Sequence, residues 1–103
     1  MTSQSENLTV QQLRKQGLLE APAGAGAHFK AFLERKNMTA ASAARDLNIA
    51  KSTVTRFING ESELSIELAA KINRTFQISI PLLFKLEADY KSHQAKLIAL
   101  ERA

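Results

Sequence analysis

Apolar residues recur at helical spacing in the chain from His28 onward. Phe29, Phe32 and Leu33 fall at positions i, i+3 and i+4 with charged residues between and after them, so the first predicted helix begins at His28 and ends near Asn37. No stretch keeps the strict alternation of apolar and polar residues that a half-buried strand requires. The pattern therefore predicts an all-α fold without a sheet.

Residues that favour helix ends divide the rest of this region into four more helices. Thr39, Ser65 and Ser79 carry hydroxyl groups suited to N-cap the second, fourth and fifth helix. The third is expected to end at Asn59-Gly60. The second helix is expected over residues 39–47, and the third from residue 50 or 51 to residue 58. The fourth is expected to begin at Ser65, with an inner face of Ile66, Ala69, Ile72 and Phe76. The fifth is expected to begin at Ser79, with Pro81 in its first turn.

The first 27 residues have a different pattern. Thr9 and Gln12 are spaced as a capping box, with Leu8 and Leu13 as a hydrophobic staple, which predicts a short helix before Gly17. Residues 21–27 are rich in Ala, Gly and Pro, as in a linker. We therefore expect an extension over residues 1–27 and a domain over residues 28–103. The extension could pack on the protein's own dimer, contact another protein, follow the minor groove of DNA or pack on nothing.

Residues 40–59 have the residue types of a helix-turn-helix at the required offsets. The small residue Ala44 stands where two short helices would cross, and Asn48 can adopt the positive φ that the turn requires. No proline interrupts the window. The five inner positions are all apolar: Ala43, Leu47, Ile49, Val54 and Phe57. The alternative interpretation is an ordinary helical hairpin with a core stripe.

Charge strengthens the helix-turn-helix interpretation. The 103 residues carry a net charge of +4. Residues 28–60 alone hold six Lys and Arg against two acidic residues, so the whole excess lies there. A confined basic region favours binding to a polyanion such as nucleic acid, although a solvated surface with chance asymmetry is the alternative. Six aromatic residues and no Trp argue against a platform that stacks single-stranded bases.

The exposed face of the third predicted helix supplies the candidates for reading DNA bases. Lys and Arg can donate to guanine O6 and N7 in the major groove, and Ser and Thr can bond base edges or phosphates. The first residues of a recognition helix make most base contacts. The candidates are Lys51, Ser52 and Arg56, with Thr55 as a weaker one.

Three further polar residues are predicted phosphate ligands. Thr39 lies at a predicted helix N-terminus, which favours anions, and this role is compatible with capping. Thr53 could bond either a phosphate or its own backbone. Asn59 ends the third helix and completes the set.

The fifth predicted helix has a heptad seam. Leu83, Leu86, Tyr90, His93, Leu97 and Leu100 are spaced 3, 4, 3, 4 and 3 residues apart. The first members are expected to pack on the domain's own core. The distal half, with Tyr90, His93, Leu97 and Leu100, is predicted to form a dimer interface; the alternative is a frayed, solvated tail. A symmetric dimer would present two recognition helices to half-sites about one DNA turn apart.

Several function classes are excluded by composition. The absence of Cys excludes disulfides and thiolate metal sites. No apolar run approaches the ~20 residues of a membrane span, and residues 1–7 do not form a secretory signal. We expect a soluble, cytoplasmic protein. Without a metal cluster, a catalytic grouping or a Gly-rich phosphate loop, we expect no enzymatic activity and no cofactor.

The sequence resembles a known family over residues 28–91. Residues 38–60, with Met38-Thr39-Ala40, Leu47-Asn48-Ile49-Ala50-Lys51-Ser52-Thr53-Val54-Thr55-Arg56-Phe57-Ile58 and the stop Asn59-Gly60, resemble the XRE/Cro helix-turn-helix family. The continuation is similar to the HigA/VapI branch of antitoxins and autoregulators in Leu64-Ser65-Ile66-Glu67-Leu68-Ala69, Phe76-Gln77-Ile78-Ser79 and Leu83-Phe84-Lys85-Leu86-Glu87-Ala88-Asp89-Tyr90. Ala40 departs from the family's Gln, and Leu83-Phe84 stands where the branch usually has Trp.

This resemblance implies a five-helix, lambda-repressor-like DNA-binding domain with an extended C-terminal helix. It implies a homodimer on a palindromic operator in double-stranded DNA, which represses its own operon and neutralises a RelE-like ribonuclease toxin. The alternatives are a Cro-like phage or plasmid repressor without a toxin, and a helical protein-interaction module without a DNA role. An adjacent toxin gene would separate the first two, and salt-dependent DNA affinity would exclude the third.

Overall fold

A computed structural model of the chain describes residues 23–102, which form five α-helices and contain no strand. The all-α prediction is confirmed. The short helix predicted near residues 8–13 lies outside the described residues. The helices are α1 (Ala25–Arg35), α2 (Ala40–Leu47), α3 (Lys51–Ile58), α4 (Ile66–Phe76) and α5 (Ile80–Arg102). Helices α2 and α3 pack against each other, α1 packs on α3 and α5, and α4 packs on α2 and α5.

The three predicted hydroxyl caps are confirmed. Thr39 Oγ1 accepts a hydrogen bond from the Ser42 amide at 3.1 Å, and Ser42 Oγ accepts one from the Thr39 amide at 3.0 Å. This reciprocal capping box fixes the start of α2. The Ser65 and Ser79 hydroxyls each accept from the amide three residues later, at 3.0 and 3.2 Å. Side chains therefore satisfy amides that the first turn of a helix leaves unpaired.

Amide side chains, not glycines, occupy the left-handed positions at three helix ends. Asn48 has φ 59° and ψ 48° at the end of α2, as predicted for the turn. The next amide, that of Ile49, donates to the Ala44 carbonyl at 3.0 Å and closes the turn. Asn37 and Gln77 adopt φ 56° and 59° after α1 and α4. The chain reverses sharply at each point, which brings successive helices together.

Four phenylalanine rings pack together, two buried in the hydrophobic core (Phe29 and Phe57) and two half-buried against it (Phe32 and Phe76). The Phe29 ring is fully buried, and its centroid lies 5.6 Å from that of Phe76, 6.1 Å from Phe57 and 6.2 Å from Phe32. Each such aromatic pair contributes about 0.5–1.5 kcal/mol beyond the burial of its apolar area. Because these rings come from α1, α3 and α4, one cluster fixes three helices relative to one another.

The start of α1 differs from the sequence prediction. The helix begins at Ala25, three residues before the predicted start, and both Ala25 and Gly26 are buried. The linker assignment of residues 25–27 is therefore wrong. A Cβ atom added to Gly26 would overlap the Phe57 carbonyl oxygen at the end of α3. Small residues are required here because the backbones of α1 and α3 are in contact. From the sequence alone, the same small residues predicted a linker.

The inner face of α4 also differs in one residue. Ile66 is 81% exposed, so its predicted inward position is wrong. Leu68, Ala69 and Ile72 are the buried residues of α4, and Phe76 is half-buried against the core. Ile66 satisfies an i, i+3 spacing with Ala69, but it lies in the first turn on the side away from Leu68, where none of the five described helices covers it.

Helix α5 begins in the core and continues beyond it. Leu83 is fully buried and Leu86 packs partly against the core, as expected. The 23 residues of α5 span ~35 Å at 1.5 Å per residue. Towards its end Leu97 is half-buried, and Leu100 is 43% exposed. Among the described helices, none has the length and apolar character needed to cross a membrane.

Replacing Gly26 with Ala tests the backbone contact between α1 and α3. Helix propensity alone would stabilise this variant by up to ~1 kcal/mol. We expect the overlap with the Phe57 carbonyl to lower the free energy of unfolding by about 1–3 kcal/mol, as for overpacked cores. Urea unfolding followed by circular dichroism measures the change. Gly24→Ala is the control, because its Cβ would meet only the Tyr90 side chain, at 3.1 Å. An equally or more stable Gly26→Ala variant would contradict the contact.

Candidate nucleic-acid interface

Helix α3 has one buried and one exposed face. Val54 and Phe57 are buried in the core and anchor the helix. Ser52 and Arg56 are exposed on the opposite side, because residues two positions before and two after Val54 lie about 160° away on a helix of 3.6 residues per turn. Lys51 is exposed at the edge of the same face. The three main base-reading candidates therefore share one accessible surface.

The threonines of α3 are less accessible. Thr53 and Thr55 are both half-buried. Thr55 lies one helical turn from Ser52 and borders the exposed face, whereas Thr53 flanks the buried side. The structure thus brings Thr55 together with the main candidates and places Thr53 at the margin.

The cationic side chains of α3 are not neutralised within the part of the chain that the structure describes. The ion pairs found there join Lys85 to Asp89 at 2.9 Å and Lys91 to Glu63 at 2.5 Å. Both involve α5, and neither involves a cation from residues 28–60. The basic excess of that region is therefore available to an external anion.

Two of the predicted phosphate ligands lie at helix ends. Thr39 is exposed at the start of α2, where its hydroxyl is engaged in the capping box. As the N-cap residue, Thr39 lies at the positive end of the α2 helix dipole. Asn59 is exposed at the end of α3 and borders a groove between α3 and α5. These residues therefore lie at the two ends of the helix-turn-helix unit, and Asn59 follows Arg56 by one helical turn.

The predicted dimer residues follow one side of α5. Tyr90, His93 and Leu97 are half-buried and Leu100 is exposed. Tyr90 already packs beside Gly24 at the start of α1, so part of its ring belongs to the domain itself. The distal members have apolar surface that the described residues of a single chain leave partly uncovered.

Residues that the sequence did not single out hold the loop after α3. The Glu87 carboxylate on α5 accepts a hydrogen bond from the Leu64 amide at 2.9 Å. Lys91, one turn later, pairs with Glu63, and this hydrogen bond together with the lysine charge lowers the pKa of the Glu63 carboxyl. These partners lie 23 and 28 residues apart in the chain, so no local pattern could have revealed them.

Metal binding has no support in the described residues. No group of three His, Asp or Glu side chains between residues 23 and 102 is arranged to hold an ion.

Comparisons with solved structures identify the fold. A putative antidote protein of a plasmid maintenance system from Nostoc punctiforme superposes with a TM-score of 0.75 at 18% identity, over 80% of this chain and 90% of that one. The Pseudomonas aeruginosa antitoxin HigA, solved with the higBA promoter, gives 0.71 at 22% identity, over 79% and 89%. An addiction module antidote protein of the HigA family from Coxiella burnetii gives 0.70 at 19%, over 80% and 90%. No curated protein sequence matches the chain.

The comparison with protein families covers the same helices. The HTH_3 helix-turn-helix family matches residues 29–83, more than half of the chain. This range begins within α1 and ends at Leu83 in α5, so it includes α2, α3 and every base-reading candidate. The members of this family are DNA-binding proteins without enzymatic activity. The chain therefore belongs to the HTH_3 family of helix-turn-helix proteins.

Proposed function

We propose that this protein is a sequence-specific transcriptional regulator of the HigA antitoxin type. It binds a palindromic operator as a homodimer in the cytoplasm, represses its own operon and neutralises a RelE-like ribonuclease toxin. The similarity of fold to an antitoxin solved with its promoter and to antidote proteins supports this proposal. Co-purification with a small basic ribonuclease encoded beside the gene would test the antitoxin function.

The observation that carries the proposal is the exposed, cationic face of α3. Arg56 is accessible and free of carboxylate partners among residues 23–102, so its guanidinium can donate two bonds to guanine O6 and N7. Lys51 and Ser52 lie in the first turn, where recognition helices make most of their base contacts. Thr55 contributes at the margin of this face.

Backbone contacts would position the helix on the duplex. Thr39 lies at the N-terminus of α2, and helix N-termini bind phosphate through their free amides and dipole. We assign Thr53 and Asn59 to phosphate contacts on either side of the recognition face. Such contacts set register and carry no sequence information.

The dimer is proposed to form through the distal half of α5. Tyr90, His93, Leu97 and Leu100 continue the heptad spacing beyond the residues that pack in the core. Two copies that meet there would be related by a twofold axis, which matches the symmetry of a palindromic operator.

A gel shift tests the proposed function directly. The full chain is mixed with its own upstream DNA and with random DNA of equal length at near-physiological salt. We expect affinity for the upstream DNA to exceed that for random DNA by ~10³ or more, as for specific regulators. Equal affinity for both DNAs, lost as the salt concentration rises, would mean that the basic region attracts DNA only non-specifically.

Replacing Arg56 with Ala tests base reading. We expect operator affinity to fall by about 1–3 kcal/mol, with relaxed preference at one base pair of each half-site. Competition gel shifts against operators substituted at single positions measure both effects. Arg74→Ala removes the same charge from an exposed site at the end of α4 and should leave base preference unchanged. A uniform loss on all sequences would instead identify Arg56 as a phosphate contact.

Charged substitutions on the seam test the dimer. The double variant Leu97→Asp, Leu100→Asp places like charges at the proposed interface, so we expect a monomer in sedimentation equilibrium and weaker operator binding. The control is Ala99→Asp, which adds a carboxylate on the exposed opposite side of α5. Dimers that persist in the double variant would show that another surface joins the copies.

A further inference from the structure

A groove of about 650 Å³ lies between α5 and the rest of the domain. The start of α1, the end of α3 and the loop to α4 form one wall, and α5 forms the other. We call it the α5 groove. Its volume falls in the range of ~300–1,000 Å³ that is typical of sites burying most of a bound molecule. It is separate from the exposed face of α3.

The α5 wall is a second stripe beside the heptad seam, and Tyr90 belongs to both surfaces. Glu87, Lys91, Gln94 and Ile98 line the groove and are spaced 4, 3 and 4 residues apart. Such spacing keeps them on one side of a helix. Ile98 is 55% exposed although it is apolar, and it provides uncovered surface at the distal end.

The opposite wall is acidic. Glu61 and Glu63 in the loop after α3 line the groove and face the α5 stripe. Glu63 is paired with Lys91, whereas Glu61 has no ion-pair partner among residues 23–102. The groove thus offers an apolar surface beside an uncompensated carboxylate, and it suits an occupant with apolar and basic side chains.

The chain itself supplies such an occupant. Gly24, which lines the groove, is separated from residues 1–22 by Ala23 alone. Leu18 and Leu19 are six and five residues before it, a reach of ~20 Å in an extended chain. From Tyr90 to Ile98, α5 rises only ~12 Å, so the reach is sufficient. Residues 8–19 contain five Leu or Val residues and two cations, with no acidic residue.

We propose that residues 8–19 of the same chain occupy the α5 groove. Leu18 and Leu19 would cover the exposed Ile98, and Arg14 and Lys15 would lie near Glu61. The short tether favours this arrangement over a free partner, because a short flexible linker gives a millimolar effective concentration. The groove reaches Asn59 at the end of α3, so the docked segment would support the recognition helix from behind.

Paramagnetic relaxation enhancement tests the proposal in the full chain. Because the protein has no Cys, Gln16→Cys provides a single attachment site for a nitroxide label. We expect the amides of Gly60, Gln94 and Ala95 in the groove to lose most of their intensity, and those of Ala41 and Arg45 on α2 to keep theirs. Equal broadening of both sets, or none, would overturn the proposal.

Matched variants and mixed samples distinguish the alternatives. Adding Ile98→Asp should abolish the broadening at Gly60, whereas Lys96→Gln, which changes the charge by the same amount at an exposed position about 160° around α5, should leave it intact. If the broadening at Gly60 persists in the Ile98→Asp variant, docking at Ile98 is contradicted. In a mixture of ¹⁵N-labelled unmodified protein and spin-labelled unlabelled protein, we expect much weaker broadening at Gly60 than within the labelled chain. Broadening of equal strength at Gly60 would mean that the segment of a second copy fills the groove, which overturns docking within one chain.

Discussion

The close approach of the α1 and α3 backbones is the constraint on which the DNA-binding surface depends. Helix α3 has only eight residues, and isolated helices of that length are unstable in water. Its position must therefore come from tertiary contacts. Gly26 lets α1 lie directly against the Phe57 carbonyl, and the Phe29 ring then fits beside that of Phe57. A larger residue at position 26 would push the two helices apart at this point.

This anchoring lets one short helix serve two purposes without conflict. Val54 and Phe57 hold α3 in the core, so the exposed face needs no apolar residues of its own. Core packing therefore does not restrict the residue types at Ser52 and Arg56, whose side chains are accessible to an external ligand. The neighbouring turn is equally rigid, because Asn48 adopts the left-handed conformation and the Thr39–Ser42 box fixes the first turn of α2. Preorganisation of this kind reduces the ordering entropy that binding must overcome.

Sequence reasoning identified the features that depend on local chemistry. Caps such as Thr39 and turn residues such as Asn48 act within four residues of themselves, so their types and spacing were sufficient to predict them. It went wrong at Gly26, where small size served a contact with a residue 31 positions away and was interpreted as flexibility. It also placed Ile66 inside, because periodicity in the first turn of a helix cannot tell which side a neighbour covers.

The candidate site was predictable to a different extent. The exposed face of α3 followed from the positions of Val54 and Phe57, which fix the helix orientation from the sequence alone. The bond from the Leu64 amide to Glu87 did not, since it joins distant segments. In the proposed dimer these long-range contacts matter most. Two α3 helices can meet half-sites about one DNA turn apart only if each is held rigidly to the α5 that joins the copies. In that dimer, Glu87 would strengthen the link by fixing the loop after α3 to α5, and the fold would then set the spacing between the two recognition helices.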